Sequence, residues 1–98
     1  MRRYYSEYVS HCLTFYCRYP SLSYFRSEVD RRNWQSCHVV LSALPEDEID
    51  IVMAVYTAND VVKNSVSKVA RDKKISQEKV WKTIGNVERK IAAQRGLV

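Results

Sequence analysis

The chain has 98 residues, is 46% hydrophobic and carries a net charge of +5. That length allows one compact domain, or one small domain with an appended helical arm, and the apolar content argues against disorder. Only two glycines and two prolines are present, too few turn residues for a strand-rich fold, so an all-α fold of about five helices is expected.

Apolar residues recur at helical spacing nearly everywhere. The first helix is expected over residues 3–16, with Tyr4, Tyr8, Cys12 and Phe15 as its stripe, widened by Tyr5, Val9 and Tyr16. So broad an aromatic face must be buried against something. Tyr19 and Pro20 stop this helix, because proline disfavours helical geometry in the residue before it. Residues 20–26 read as a loop.

Ser27, Glu28, Val29 and Asp30 resemble a capping box that opens a second helix. Its apolar face is Trp34, Cys37, Leu41 and Leu44, with Val40 beside them. Pro45, Glu46, Asp47 and Glu48 then suit a helix start, where carboxylates complement the helix dipole. The third helix runs on through Ile49, Val52, Met53 and Tyr56, and Thr57, Ala58, Asn59 and Asp60 form a loop. A short fourth helix is expected from Val61 or Asn64 to Asp72, facing inward through Val62, Val66, Val69 and Ala70. Ile75 and Ser76 mark a break and a new N-cap. The fifth helix, 76–92, carries Val80, Ile84, Val87 and Ile91 inward and ends near Gly96, a C-cap glycine.

Charge is unevenly distributed. Residues 1–43 hold six basic and three acidic groups; residues 44–60 hold five acidic groups and no basic ones; residues 61–98 hold ten basic and three acidic groups. The last segment is therefore +7, the electrostatic footprint of a phosphate-binding surface, or else a solvated lysine-rich face. The apolar stretches are broken by charge well short of the roughly 18 residues of a membrane span. No uninterrupted apolar region follows Arg2 and Arg3, so no signal peptide is expected. Cys12, Cys17 and Cys37 are odd in number and without paired spacing, which points to reduced thiols and a cytoplasmic protein.

Residues 44–91 resemble region 4 of the sigma-70 family, the part that reads promoter DNA. Leu44, Pro45 and Glu46, followed by Ile49, Val52 and Tyr56, look like that region's opening helix. Val69 and Ala70, four residues before Lys74, Ile75 and Ser76, look like the first helix and turn of its helix-turn-helix. Ser76, Val80, Ile84, Val87 and Ile91 have the inward spacing of its recognition helix. The expected organisation is an N-terminal aromatic-rich helical pair, 1–43, read from its apolar spacing, packed on the helix-turn-helix bundle, 44–98, that the resemblance implies. The resemblance also implies a small transcription regulator of phage or mobile-element type, with duplex DNA as partner and RNA polymerase and a second copy of the chain as further candidates. The first 43 residues do not look like a polymerase-binding region of a complete sigma factor.

Such a helix presents its N-terminal residues to base edges while its other face stays packed. Gln77, Lys79, Lys82, Thr83 and Asn86 are the candidate base contacts. Lys68, Lys73, Lys74, Ser76, Arg89 and Lys90 are the candidate phosphate contacts. The family has leucine and then glycine where this chain has Lys73 and Lys74, so either Lys74 takes a left-handed backbone, at a cost of about 1 kcal/mol, or the turn differs. The loop between Tyr56 and Asn64 is longer than the family's, and Gly85 interrupts the recognition helix.

Other groupings have blander readings. His11, Cys12, Cys17, Cys37 and His38 match no zinc spacing, and no metal or other cofactor is expected. Trp81 either stacks on a sugar or packs half-buried on a neighbouring helix. The tyrosines of the first helix either stack on single-stranded nucleic acid or pack on protein. Glu46, Asp47, Glu48 and Asp50 explain themselves as a solvated helix start. No nucleophile–base pair or phosphate-binding glycine loop is present, so an enzyme is not expected. The competing reading is a protein-interaction module, an RNA polymerase adaptor or phage assembly component, working through Tyr4, Tyr8 and Phe15.

Overall fold

The computed structural model describes residues 4–22, 24–58 and 60–97; Arg2, Arg3 and Asn59 lie outside them. Five helices follow one another: α1 (Ser6–Arg18), α2 (Glu28–Ser42), α3 (Glu46–Tyr56), α4 (Val62–Lys73) and α5 (Gln77–Gln94). The fold is all-α, and no strand is present among the described residues.

The buried face of α1 is rotated from the expected stripe. Tyr5, Val9, Cys12, Leu13, Tyr16 and Cys17 are buried, whereas Tyr4 is 82% exposed and Tyr8 and Phe15 sit at the rim. Leu13 is the reason: it is fully buried and centres the face between Val9 and Tyr16, which turns Tyr4 outward. Tyr8 uses its rim position to donate a hydrogen bond to Asn33 Oδ1 at 3.0 Å.

The second helix begins as its capping pattern requires, with Ser27 Oγ accepting from the Asp30 amide at 3.1 Å. Cys37, Val40 and Leu41 are buried, and Trp34 and Leu44 pack half-buried on the core. Pro45, at φ −59° and ψ 151°, breaks α2 from α3 and accepts from the Glu48 and Ile49 amides. Between α3 and α4, Asp60 Oδ1 accepts from the Val61 amide at 2.7 Å and from Asn64 Nδ2 at 3.3 Å. That side chain caps the backbone just before the helix starts at Val62.

One continuous core joins all five helices. The last helix is its hub: α5 packs against each of the other four, while α1 packs on α2 and α3, and α3 on α4. Val80, Ile84, Val87, Ile91 and Ala92 are completely buried. The chain beyond α5 closes with Gly96 at φ +71°, the Gly96 amide donating to Ala93 O at 3.2 Å and the Leu97 amide to Ala92 O at 2.8 Å. This is the glycine-terminated motif that satisfies the last carbonyls of a helix. Among the described residues no helix is long and apolar enough to cross a membrane.

Candidate nucleic-acid interface

The helices α4 and α5 are joined by residues 74–76, a three-residue connection of the length a helix-turn-helix uses. Lys74 occupies the left-handed region at φ 58° and ψ 44°. Its amide donates to Arg71 O at 3.3 Å, and the Ile75 amide donates to Ala70 O at 3.0 Å. These two bonds turn the chain out of α4, and Ile75 folds back half-buried onto the core. The turn therefore keeps a glycine-type geometry with a lysine in it.

Ser76 then starts α5: its Oγ accepts from the Lys79 amide at 3.1 Å. The hydroxyl is thereby committed to the cap. The amides of Gln77 and Glu78 have no partner within the helix, and they form the positive end of its dipole.

Helical geometry sorts the remaining candidates. At about 100° per residue, Lys82 and Arg89 point almost opposite to the buried Val80, Ile84, Val87 and Ile91. Lys79, Asn86 and Lys90 lie together along one flank of that outer ridge. Lys79, Lys82, Arg89 and Lys90 are all exposed, and none of them makes an ion pair among the described residues. Asn86 is half-buried and accepts from the Arg89 guanidinium at 3.3 Å. Gln77 is exposed because it sits in the first turn, beyond the core, and not because it shares the outer ridge. Lys73 and Lys74 stand exposed beside Ser76, and Lys68 is exposed five residues before Lys73.

Thr83 does not belong to this surface. It is only 7% exposed, and its hydroxyl donates to Lys79 O at 2.9 Å. Thr83 is thereby removed from the candidate base contacts, which leaves Gln77, Lys79, Lys82 and Asn86 as candidates. The position lies on the border between the flank and the inward face, and the neighbouring helices close over it. Two acidic residues of α5 also stand apart from the sequence reading. Glu78 is exposed in the first turn, the one carboxylate among the outer cations. Glu88 is 3% exposed; its place four residues after Ile84 and one after Val87 was the signal for the inner side.

Trp81 packs half-buried on the core beside a groove that Tyr4, Val62 and Lys63 also line. Cys12, Cys17 and Cys37 are free thiols and all buried. No group of three or more His, Cys, Asp or Glu side chains that could hold a metal ion occurs among the described residues. No family model, characterised protein or solved structure matches this chain.

Proposed function

We propose that the protein is a sequence-specific transcription regulator that reads duplex DNA with α5. The observation that supports this most is the outer ridge of that helix. Lys79, Lys82, Arg89 and Lys90 stand exposed, and without acidic partners among the described residues, on the side opposite a fully buried apolar face. A helix held by four neighbours and presenting exposed cations along its outer side suits the major groove. Lys73 and Lys74 at the turn extend the positive surface to a phosphate. The likeness of residues 44–91 to region 4 of the sigma-70 family supports the same reading and brings RNA polymerase in as a partner.

Selection of bound duplexes from a random pool, at two salt concentrations, tests the proposal. Enrichment of one sequence, with affinity falling steeply as salt rises, is the expected result. Failure to retain any duplex at low salt overturns it.

A second reading rests on a different surface. Tyr4, just before α1, and Tyr19 and Tyr24, in the chain after it, are half or more exposed, and exposed aromatics are characteristic anchors of protein interfaces. In that reading the chain is a non-enzymatic adaptor. A Tyr4→Ala, Tyr19→Ala, Tyr24→Ala variant that folds, retains DNA affinity and leaves transcription from the selected site unchanged counts against it.

A further inference from the structure

A groove of about 470 Å³ lies on another side of the molecule, between α2 and the end of α5, lined by Arg32, Gln35, Ser36, Val39, Gln94 and Arg95 with Gly96. No carboxylate lines it among the described residues. Arg95 is half-buried and oriented: its Nε donates to the neutral Asn33 Oδ1 at 2.9 Å, and it makes no ion pair among the described residues. Arg32 has only a 3.6 Å contact with Glu28, which Arg31 shares. Val39, 53% exposed, adds an apolar side chain to the groove's lining. Two guanidiniums and an apolar residue lining one groove suit a carboxylate-bearing segment of protein.

The groove does not serve the duplex proposed above. On the helical wheel Arg95 points about 140° away from Lys82, so DNA lying on the outer ridge of α5 leaves it uncovered.

The chain itself carries the complementary surface. Glu46 and Asp47, in the first turn of α3, are exposed, and neither they nor Glu48 and Asp50 pair with a cation among the described residues. This turn begins seven residues after Val39, just past the end of α2. A basic groove and an acidic turn so close together can satisfy each other twice around one two-fold axis. We propose that this face is a self-association surface, in which the α2/α5 groove of each copy receives the first turn of α3 of the other. The ridge of α5 stays open in such a dimer, and two recognition helices are carried on one particle.

Sedimentation of the full chain without DNA tests this independently of the DNA-reading proposal. The expected result is a monomer–dimer equilibrium whose dissociation constant rises at least about tenfold between about 50 and 500 mM salt, because screening weakens exposed charge pairs. Arg32→Glu with Gln35→Glu, both at exposed positions, weakens the dimer by at least about tenfold, as does Glu46→Lys with Asp47→Lys. Circular dichroism of each variant separates lost pairing from lost folding, and Arg95→Gln serves as a milder groove variant. Mixing the two charge-reversed chains restores a heterodimer. A wild-type chain that stays monomeric at high micromolar concentration overturns the proposal, and so does a dimer indifferent to both reversals.

Discussion

Arg95 and Asn33, 62 residues apart in the chain, meet through a 2.9 Å hydrogen bond from the arginine Nε to the amide oxygen. The same oxygen accepts from the Tyr8 hydroxyl at 3.0 Å. One side-chain amide thus ties α1, α2 and the end of α5 together. Asn33→Ala removes both bonds and is expected to cost about 1–2 kcal/mol, whereas Tyr8→Phe, which removes one near the surface, costs about 0.5–1 kcal/mol. Urea unfolding midpoints of the two variants check the order. Equal midpoints for wild type and Asn33→Ala contradict it.

Lys74 holds a backbone that a side chain disfavours. Lys74→Gly is expected to stabilise the fold by about 1 kcal/mol, since glycine removes the left-handed penalty, and Lys74→Val to destabilise it. Thermal unfolding measures both. If Lys74 also contacts a phosphate, Lys74→Gly lowers the slope of log affinity against log salt by about 1 while raising the melting temperature. Stability and affinity then move in opposite directions.

Gly85 is exposed in the middle of α5, and a Cβ added there meets nothing within 4 Å. Its conformation needs no glycine, since its φ is not positive. Gly85→Ala therefore gains about 1 kcal/mol of helix propensity. Chemical denaturation should show the gain at an unchanged m-value.

Burial raises all three thiols. Desolvation lifts Cys12 from an ordinary value of 9.0 to about 11, with nearby Arg95 pulling slightly the other way, and lifts Cys17 to about 12. Cys37 is raised further, by burial first and then by the other two thiols. At neutral pH the native chain should be almost inert to a colorimetric disulfide reagent, and all three thiols should react once it is unfolded. The sign of the pH effect follows from the raised values. The neutral thiols favour the folded state fully below pH 9, where the unfolded thiols are also protonated. That contribution is lost progressively from about pH 9 to pH 12, as the unfolded chain ionises first. Stability should therefore decline across that window, and less steeply in a Cys17→Ala variant.

Lys82 and Thr83 are neighbours in sequence with opposite exposure. Lys82→Ala should weaken binding to the selected duplex by about tenfold, corresponding to about 1–2 kcal/mol, with changed base preference. Thr83→Ser should leave both affinity and preference intact, because the hydroxyl already bonds Lys79 O inside the protein. Fluorescence anisotropy titrations distinguish them; a selective loss with Thr83→Ser contradicts the placement of α5 on DNA.

Much of the helical order was legible from local signals. Ser27 and Ser76 announce helix starts because a side-chain oxygen reaches an amide three residues on. Pro45 and Gly96 mark ends through their own backbone limits. The inward row Val80, Ile84, Val87 and Ile91 follows from a period of 3.6. These interactions span a few residues, so composition along the chain suffices to place them. The rim positions depend on neighbours distant in sequence. Tyr4 turns outward because Leu13 centres α1, Thr83 is covered where other helices close on α5, and Asn33 finds Arg95 across the fold. Periodicity sets the direction of a side chain to within the width of a helix face. Whether a border residue is buried or exposed is decided by which helix packs beside it.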